Sequence, residues 1–369
     1  MKHYDLAVIG GSFSGLACAQ SAALKGTKSI VLERKKSPGA YTQSTGIFVK
    51  EIAEQLNIPS KLTRKISGIR LYAPNMASID LSSEHYYFLA TDTGKVLDWM
   101  ARQVKIAGGE VRCGQNIETI VKKDERYILM NENISCSYLV GADGAKSNIA
   151  KRFKLGKNKH FLLGAEYEVD GLDNLDDNYL HVFLHSGYAP GYIGWALKGL
   201  NYTQVGLAVN YPQKPDIKGF LLHLMKYFGG KTEIIHRRGG YIPSGGLVSP
   251  LSKNNLCLLG DAAGMVSPLT AGGIHPAIEI GVQLGRYITD YLHHDGEAPE
   301  RLLNVIKPSY TFKKPIRQLY QIMPPPDWLM NYLITNKQFR HIAQIIFFHH
   351  RGIFCKEAWQ DIWKEILFT

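Results

Sequence analysis

The stretch Tyr4-Asp-Leu-Ala-Val-Ile-Gly-Gly-Ser-Phe-Ser-Gly15 determines how the chain begins to fold. Its first half is a short apolar run that predicts a buried β-strand, and its second half is a turn rich in glycine and serine. A helix of small residues is predicted from Leu16 to Leu24, and a second strand from Lys28 ends in Glu33. This order of strand, tight turn, helix and strand is typical of a dinucleotide-binding βαβ unit.

The turn has the features that binding of a pyrophosphate requires. Gly10 permits a tight turn, and the start of the following helix offers free N–H groups and a favourable dipole to phosphate. Ser12 stands where a second glycine is usual, but its small side chain still allows close approach of the backbone. Glu33 is spaced to bind ribose hydroxyls, which favours FAD or NAD. The alternative is an ordinary strand–turn–helix that binds no nucleotide.

A second informative stretch lies far along the chain. Leu256-Cys-Leu-Leu259 predicts another buried strand, Asp261 follows it, and a helix is predicted from about Gly273. In open α/β sheets, ligands bind at the carboxyl ends of the strands. Asp261 and the start of this helix are therefore candidate ligand-binding elements. The alternative for Asp261 is a helix cap.

The chain resembles FAD-binding proteins of the aromatic-hydroxylase superfamily, the p-hydroxybenzoate hydroxylase-like proteins. The glycine turn, Gly141-Ala-Asp-Gly144 and Gly260-Asp-Ala-Ala-Gly264 occur together in that superfamily. The resemblance implies that Asp261 bonds the ribityl chain of the flavin. It also implies that the helix starting at Gly272–Ile274 faces the flavin pyrimidine ring, where its dipole stabilises the negative charge of reduced flavin.

On this resemblance we expect a set of residues to bind FAD. They are Gly10, Ser12, Ser14, Gly15, Glu33, Arg34, Thr45, Gly46, Lys95, Ile117, Asp143, Gly260, Asp261, Pro268, Gly272, Gly273 and Ile274.

A narrower resemblance is to the geranylgeranyl reductase family, and it covers about residues 1–290. Pro190-Gly-Tyr-Ile-Gly-Trp195 is similar to that family's Pro-x-x-Tyr-x-Trp motif, but with one extra residue between Tyr192 and Trp195. The family's Cys-Gly-Gly is replaced here by Gln43-Ser-Thr-Gly46, and Lys95 stands where an arginine is common. The resemblance implies that Tyr192 and Trp195 line an apolar substrate channel. The alternative is that they are ordinary strand aromatics.

The reaction implied by this family is hydride transfer from reduced flavin to a C=C bond of an isoprenoid or another lipid-like substrate. His275 is the candidate proton donor, and a structural histidine is the alternative. The electron donor would be NAD(P)H or a ferredoxin. Two other functions stay open: an FAD-dependent monooxygenase, and a flavoprotein without turnover. A halogenase is disfavoured because a Trp-x-Trp-x-Ile-Pro motif is absent from the sequence.

The predicted fold is α/β, with three parts. The first is a Rossmann-like FAD-binding domain built discontinuously from residues 1–65, 93–160 and 250–295. The second is an inserted antiparallel β-sheet domain for the substrate, from residues 66–92 and 161–249. The third is a C-terminal helical region, residues 296–369. The predicted strands include Glu110–Cys113, Ile69–Tyr72, Ala77–Leu81, Tyr179–Phe183, Tyr192–Leu197 and Thr203–Val209.

Composition narrows the partners. The formal net charge is +11, but no dense Lys/Arg tract interleaved with aromatics suggests nucleic acid binding. The five cysteines are scattered, which is typical of free thiols in a reducing cytoplasm, and His293-His294 and His349-His350 lack the partners of a metal site. We expect a cytoplasmic monomer or small homo-oligomer, peripheral to a membrane if residues 338–369 form an interfacial helix. The alternative for residues 338–369 is a helical cap on the flavin domain.

Overall fold

The computed structural model describes residues 1–311 and 313–348. Its elements, in chain order, are β1 Lys2–Ile9, α1 Phe13–Leu24, β2 Ser29–Glu33, β3 Ile47–Val49, α2 Lys50–Leu56, β4 Thr63–Ile66, β5 Gly68–Tyr72, β6 Ser78–Leu81, β7 Phe88–Thr91, α3 Thr93–Ile106, β8 Glu110–Cys113, β9 Ile120–Lys123, β10 Arg126–Leu129, β11 Ile134–Gly141, α4 Asn148–Arg152, β12 Phe161–Asp170, β13 Tyr179–Phe183, β14 Gly194–Lys198, β15 Thr203–Asn210, α5 Ile217–Phe228, β16 Glu233–Pro243, β17 Leu256–Leu258, α6 Ile274–His293, α7 Pro299–Ile306, α8 Lys313–Ile322, α9 Asp327–Leu333 and α10 Lys337–Phe348.

The chain divides into two compact units. The first contains residues 1–46, 92–162 and 240–318, and the second contains 47–91, 163–239 and the described residues from 319 to 348. The prediction had assigned residues 47–65 to the FAD-binding domain. They lie in the second unit because β3 and β4 both pair with β7, which forms a separate three-stranded sheet. This pairing joins segments distant in sequence and is not visible in local residue patterns.

The first unit is built on a seven-stranded sheet in the order β8-β2-β1-β11-β10-β9, with β17 also beside β11. Strands β8, β2, β1, β11 and β17 run parallel, and in register Ile9 lies opposite both Leu32 and Gly141. Gly141 in turn lies opposite Leu258. The carboxyl ends of the parallel strands therefore meet at one edge of the sheet, which is where a ligand binds in such folds.

Helices α1 and α6 pack closely against each other in the first unit. A Cβ on Gly281 would lie 2.8 Å from the Ser14 carbonyl oxygen, and one on Gly285 would lie 2.3 Å from the Cys18 carbonyl oxygen. The glycines of α6 thus allow its backbone to approach that of α1 more closely than any side chain would permit.

The second unit contains a seven-stranded sheet in the order β16-β12-β15-β14-β13-β5-β6. The prediction of an antiparallel sheet is wrong at one place, since β13 pairs with β5 in parallel. About a hundred residues separate these strands, so no tight hairpin forces them to be antiparallel. One face of the sheet packs on α5 through an apolar core that includes Phe183, Ala196 and Phe220.

The C-terminal helices are divided between the units. Helix α7 packs on α6, whereas α10 lies on strands of the second unit, where Arg340 and Gln344 donate to the carbonyl oxygens of Asp80 and Ser82. A cap on the flavin domain was the alternative for residues 338–369, and the described part of that stretch, in α10, lies on the second unit instead. Residues 349–369, including His349-His350 and most of the stretch expected to be an interfacial helix, lie outside the described part. Within the described part, none of the helices has the length and apolar character that crossing a membrane requires.

We predict that Gly285→Ala destabilises the protein. The added methyl group would overlap the Cys18 carbonyl oxygen and force α1 and α6 apart, at a cost of about 1–3 kcal/mol. This exceeds the gain of about 1 kcal/mol in helix propensity. Urea unfolding should show a lower midpoint with an unchanged slope. Arg286→Ala, one residue further on an exposed position of the same helix, is the control and should leave the midpoint nearly unchanged. Equal midpoints for both variants would contradict the packing described here.

Candidate flavin site

The turn after β1 requires glycine at two positions. Gly10 has φ of 111°, and a Cβ on it would lie 2.2 Å from the Ala142 carbonyl oxygen. A Cβ on Gly15 would lie 2.1 Å from the Gly10 carbonyl oxygen. Ser12 precedes α1 but its side chain makes no capping hydrogen bond, and the first turn of the helix carries no acid. The start of α1 therefore has no side-chain cap and no acid that would repel an anion such as a pyrophosphate.

Glu33, at the end of β2, is buried and fixed by the backbone. Its carboxylate accepts hydrogen bonds from Gly11 N at 2.7 Å and from Lys35 N at 2.9 Å. Each carboxylate oxygen retains a further lone pair, so Glu33 can accept ribose hydroxyls while it holds the glycine turn. Arg34 follows it at an exposed position.

Asp261 lies in the short 3-10 turn Gly260–Ala263 that follows β17. Within the described residues its carboxylate accepts no hydrogen bond, and burial raises its pKa to about 6. The carboxylate does not cap a helix, which removes the alternative raised by the sequence. A half-buried acceptor without a donor fits a ligand that brings hydroxyl groups, as the ribityl chain of FAD does.

The start of α6 lies beside Asp261. A Cβ on Gly273 would lie 3.6 Å from Asp261 Oδ1, and no side chain caps this 20-residue helix. The loop before it, which carries the buried Pro268, is closed by a hydrogen bond from Ser267 N to Gly272 O. An uncapped helix start of this length stabilises negative charge nearby. Together with the glycine turn and Glu33, these residues fit FAD.

Ser14 connects two of the predicted motifs. It lies in the first turn of α1, is buried, and a Cβ on Gly260 would lie 2.5 Å from its hydroxyl oxygen. The turn after β1 and the turn after β17 are therefore in direct contact. Gly260, with φ of 60°, has the backbone conformation that this contact needs.

Asn158 is a site residue that the sequence did not indicate. Its side-chain nitrogen donates to the carbonyl oxygens of Ala145 at 3.0 Å and of Asp261 at 2.8 Å. One amide thus ties the Gly141–Gly144 motif to the Gly260–Gly264 motif. A single asparagine in a loop offers no sequence signal for such a contact.

Tyr310 is a second residue that was missed, because it belongs to the region expected to be a separate helical part. Its ring is buried, and burial together with the nearby charge of Asp261 raises the pKa of its hydroxyl. A Cβ on Gly246 would lie 3.3 Å from the Tyr310 ring. Tyr310 therefore belongs to the surroundings of the Asp261 turn.

Other residues predicted to bind FAD lie on different elements. The Asp143 carboxylate accepts from Ser147 Oγ, Asn148 N and Ile149 N, so it is engaged at the start of α4. Lys95 forms an ion pair with Asp92 at the start of α3, at 2.7 Å, and its side chain is largely exposed. Half-buried Ile117 lies in the loop between β8 and β9, and Thr45 and Gly46 lead into β3. Cofactor binding by these residues stays a prediction.

His275, the candidate proton donor, is the second residue of α6. Its Nε2 lies 3.4 Å from Glu279 Oε2, one helical turn further on, and its side chain is largely buried. This pairing is the usual i, i+4 contact on a helix surface. Its catalytic role stays a prediction.

In the second unit, a buried polar network fixes Trp195. The indole Nε1–H donates to Glu166 Oε2 at 3.0 Å, and the ring packs flat on Gly206, whose Cβ would overlap it. Arg238 bonds Glu166 and lies 2.9 Å from Glu168. Burial raises the pKa of Glu166, and the Arg238 charge opposes this.

Because Ala196 belongs to the core on the α5 side, Trp195 faces the opposite side of the sheet. Tyr192 is also buried, in the turn just before β14. A substrate-binding role for these two aromatics stays a prediction.

Known proteins resemble this chain both in sequence and in fold. Residues 3–165 match the family model described as an FAD binding domain. Digeranylgeranylglycerophospholipid reductase 1 of Methanococcoides burtonii is 25% identical over 326 residues, which cover 81% of this chain and 78% of that protein. Digeranylgeranylglycerophospholipid reductase 2 of Methanosphaera stadtmanae is 29% identical and covers 77% of each chain.

Solved structures agree on the fold. A geranylgeranyl bacteriochlorophyll reductase-like protein of Thermoplasma acidophilum superposes with a TM-score of 0.80 at 18% identity over 99% of both chains. The flavin-dependent brominase Bmp2 has a TM-score of 0.72 at 14% identity, over 93% of this chain and 92% of its own. Aklavinone-11 hydroxylase, solved with FAD, has a TM-score of 0.65 at 16% identity, over 83% of this chain and 65% of its own.

We predict that Asp261→Asn stabilises the FAD-free protein at pH 7 but weakens FAD binding. The folded protein keeps the Asp261 proton up to about pH 6, whereas an ordinary aspartate loses it near pH 3.8. Wild-type stability should therefore fall as pH rises through this window, by an amount on the order of 1–3 kcal/mol, and Asn should remove that loss.

The measurement is urea unfolding of the apoprotein at pH 3.5, 5 and 7, with FAD affinity measured by fluorescence quenching. The two proteins should be equally stable at the lowest pH, and the variant should bind FAD at least about tenfold more weakly. Asp124→Asn, at an exposed turn, is the control and should change neither quantity. A variant that binds FAD as tightly as wild type would contradict the role of Asp261.

The glycine turn and Glu33 lie within the residues that match the FAD binding domain, whereas Asp261 and the start of α6 lie beyond them. Residues 3–165 match an FAD binding domain, and the chain is an FAD-dependent oxidoreductase that is similar in sequence to named digeranylgeranylglycerophospholipid reductases.

Proposed function

We propose that this protein saturates C=C bonds in isoprenoid chains carried by a lipid. One observation carries the proposal: the similarity to named digeranylgeranylglycerophospholipid reductases extends over 326 residues. It is therefore about twice as long as the matched FAD binding domain, residues 3–165. The similarity includes the part of the chain that would meet the substrate, and this favours a shared substrate class as well as a shared cofactor.

The residues of the first unit would hold the cofactor. The turn from Gly10 to Gly15 would bind the pyrophosphate, and Glu33 would accept the ribose hydroxyls. The Asp261 carboxylate would accept a ribityl hydroxyl, and N–H groups at the start of α6 would face the pyrimidine ring. FAD, once reduced, supplies the hydride. An uncapped helix start favours the reduced form because it stabilises the negative charge of that form.

The substrate side of the proposal rests on the second unit. An isoprenoid chain is apolar, so its binding surface must exclude water and present flat, rigid side chains. Trp195 meets this requirement, since Glu166 and Gly206 hold its ring in one orientation. Tyr192 would form a second side of the same substrate channel. His275 would deliver the proton from Nε2 to the carbon next to the one that receives the hydride.

The proposal has further parts that are less specific. The electron donor would be NAD(P)H or a ferredoxin. The protein would act in the cytoplasm, as a monomer or small homo-oligomer, in peripheral contact with the membrane that contains its lipid substrate.

Oxygen chemistry is the second candidate function. The fold is shared with aklavinone-11 hydroxylase, which was solved with FAD and aklavinone, and this supports hydroxylation of an apolar substrate. Halogenation has the support of the brominase fold alone. The sequence lacks the Trp-x-Trp-x-Ile-Pro motif, so hydroxylation is the stronger of the two alternatives.

We predict that anaerobically reduced, FAD-loaded protein transfers hydrogen to a digeranylgeranyl lipid. The lipid should gain two hydrogens per double bond, and when the flavin is reduced in D2O both should be deuterium, because the N5 hydrogen of reduced flavin and the proton of the donor both exchange with solvent. Mass spectrometry and flavin absorbance after rapid mixing provide the measurement. Addition of one oxygen atom to an apolar substrate under air, with no reduction of the lipid without oxygen, would replace the proposal by hydroxylation.

We predict that Trp195→Phe weakens substrate binding more than it slows turnover. The variant removes the indole N–H that donates to Glu166, so the buried Glu166 carboxylate loses a partner at a cost of about 1–3 kcal/mol. Without this hydrogen bond, the ring at position 195 is also free to rotate. KM should rise about tenfold with kcat within about threefold of wild type. Trp99→Phe in α3 is the control. An unchanged KM for Trp195→Phe would show that Trp195 is an ordinary strand aromatic.

A further inference from the structure

Four residues form a connected row across one face of the large sheet in the second unit. Arg238 lies on β16, Glu166 on β12, Gly206 on β15 and Trp195 on β14, and these four strands are neighbours in that order. Strands β12 and β14 are separated by β15, so their axes lie about 9–10 Å apart. The Trp195 indole nevertheless reaches Glu166, since its Nε1 lies 3.0 Å from Glu166 Oε2.

The indole can cross β15 because Gly206 has no side chain. Trp195 and Gly206 lie opposite each other in the register of β14 and β15. A Cβ on Gly206 would lie 2.3 Å from both Cε2 and Cζ2 of the indole. The ring therefore occupies the space that any side chain at position 206 would need.

Three buried charged groups lie beyond the end of the indole. Arg238 donates to Glu166 Oε1 from Nε, at 2.8 Å, and also from Nη2, and its Nη1 lies 2.9 Å from Glu168 Oε1. The side chains are only 4% exposed for Glu166, 7% for Glu168 and 10% for Arg238. One guanidinium thus holds two carboxylates, and Glu166 divides its oxygens between Arg238 and Trp195. We call Glu166, Glu168 and Arg238 the charged cluster.

Charge is not needed to fill this space. Apolar residues of similar volume in place of a buried ion pair often leave a protein equally stable or more stable, because burial of charge costs free energy. Burial indeed raises the pKa of Glu166, and the Arg238 charge opposes this. What the charged cluster adds is direction. The planar fork of arginine fixes the Glu166 carboxylate, which in turn presents one oxygen to the indole N–H.

We propose that Arg238 and Glu168 are positioning residues for the substrate, which act through Glu166 on the Trp195 ring. The inference rests on the proposed function, in which Trp195 forms part of the surface that binds an isoprenoid chain. A ring that is already fixed loses little conformational freedom when an apolar chain binds against it, so less of the binding free energy is lost. The charged cluster itself acts without contact with the substrate.

The experiment uses full-length, FAD-loaded, oxidised protein, so that the lipid binds without being reduced. Tryptophan is labelled with 15N, and the NMR signal of the Trp195 indole N–H is assigned by its absence in Trp195→Phe. Exchange of this N–H with D2O reports how firmly Glu166 holds the ring. Calorimetric titration with detergent-dispersed digeranylgeranyl lipid gives the dissociation constant.

Two variants change the charged cluster, and a third is the control. The apolar variant combines Glu166→Leu, Glu168→Leu and Arg238→Met. The second variant is Arg238→Lys, which keeps the charge but lacks the rigid fork. The control is Arg70→Lys, because Arg70 forms a two-bond pair with Asp80 at the other end of the same sheet.

We expect the apolar variant to unfold in urea at a midpoint close to that of wild type or above it, since all three charges are removed together. Its Trp195 N–H should exchange at least about tenfold faster, and its dissociation constant for the lipid should rise at least about tenfold. Arg238→Lys should change both quantities in the same direction by smaller factors. Arg70→Lys should change neither.

A combination of variants separates an effect through Trp195 from a general effect on the fold. The apolar variant with Trp195→Phe added should bind the lipid as strongly as Trp195→Phe alone, because residues that act through one shared group are not additive.

Two results would overturn the proposal. One is lipid binding by the apolar variant that equals wild type, which would make the charged cluster purely structural. The other is unchanged N–H exchange in Arg238→Lys, a variant that tests the proposal even if the apolar variant fails to fold. Either result can occur while wild type still reduces the lipid, and the proposed function would then stand. Faster exchange in both variants, with neither binding nor reduction of the lipid by wild type, would instead reject the proposed function and leave only the hold on Trp195.

Discussion

The site depends on how closely two backbone segments approach at the end of the parallel sheet. Gly10 lies so near the Ala142 carbonyl that a single methyl group would not fit. This contact is possible because β1 and β11 are adjacent and parallel, with Ile9 opposite Gly141, so both strands end at the same level. The same register brings β2 and β17 to that edge. Glu33 and Asp261 then extend from a common edge, although 228 positions separate them in the sequence.

The two acids at this edge have different electrostatic surroundings. Glu33 accepts hydrogen bonds from two backbone N–H groups of the protein itself. Asp261 is half-buried, its carboxylate accepts no hydrogen bond within the described residues, and its raised pKa reflects the cost of its charge. Glu33 therefore fixes the glycine turn of the protein itself. In the proposed function, a cofactor hydroxyl that donates to Asp261 would offset the cost of its charge and so contribute binding free energy.

Local residue patterns were sufficient to predict the strands and the helix that meet at the carboxyl edge of the parallel sheet. The strand before Gly10, the strand ending in Glu33, the strand ending at Leu258 and the helix from Gly273 are all found close to where glycine turns and apolar runs placed them. Strands such as Glu110–Cys113 and Tyr179–Phe183 were predicted to the residue. The strands that end in Glu33 and at Leu258 carry this information locally, because they are buried along their whole length and therefore contain short apolar runs.

Contacts between distant segments were not predictable in the same way. The parallel pairing of β5 with β13 and the separate sheet of β3, β4 and β7 depend on partners elsewhere in the chain. Asn158 is the clearest example. Its amide joins the segment after Gly144 to the Asp261 turn, but nothing in the sequence distinguishes it from any other asparagine in a loop. Tyr310 was missed because residue 310 lies beyond the last motif, although the chain folds it back to the Asp261 turn.

The position of β17 in the sheet has a consequence for the order of events when the chain is made. Strand β11 pairs with β10 along its first half and with β17 along its second half, and β17 comes more than a hundred residues later. Helix α1 likewise packs against the glycines of α6, which are synthesised much later in the chain. During synthesis, the early βαβ unit leaves the ribosome with the glycine turn but without Asp261 or the start of α6. The predicted flavin-binding residues are present together only after nearly three hundred residues have emerged, so FAD cannot meet the whole set while the early βαβ unit is the only part of the chain outside the ribosome.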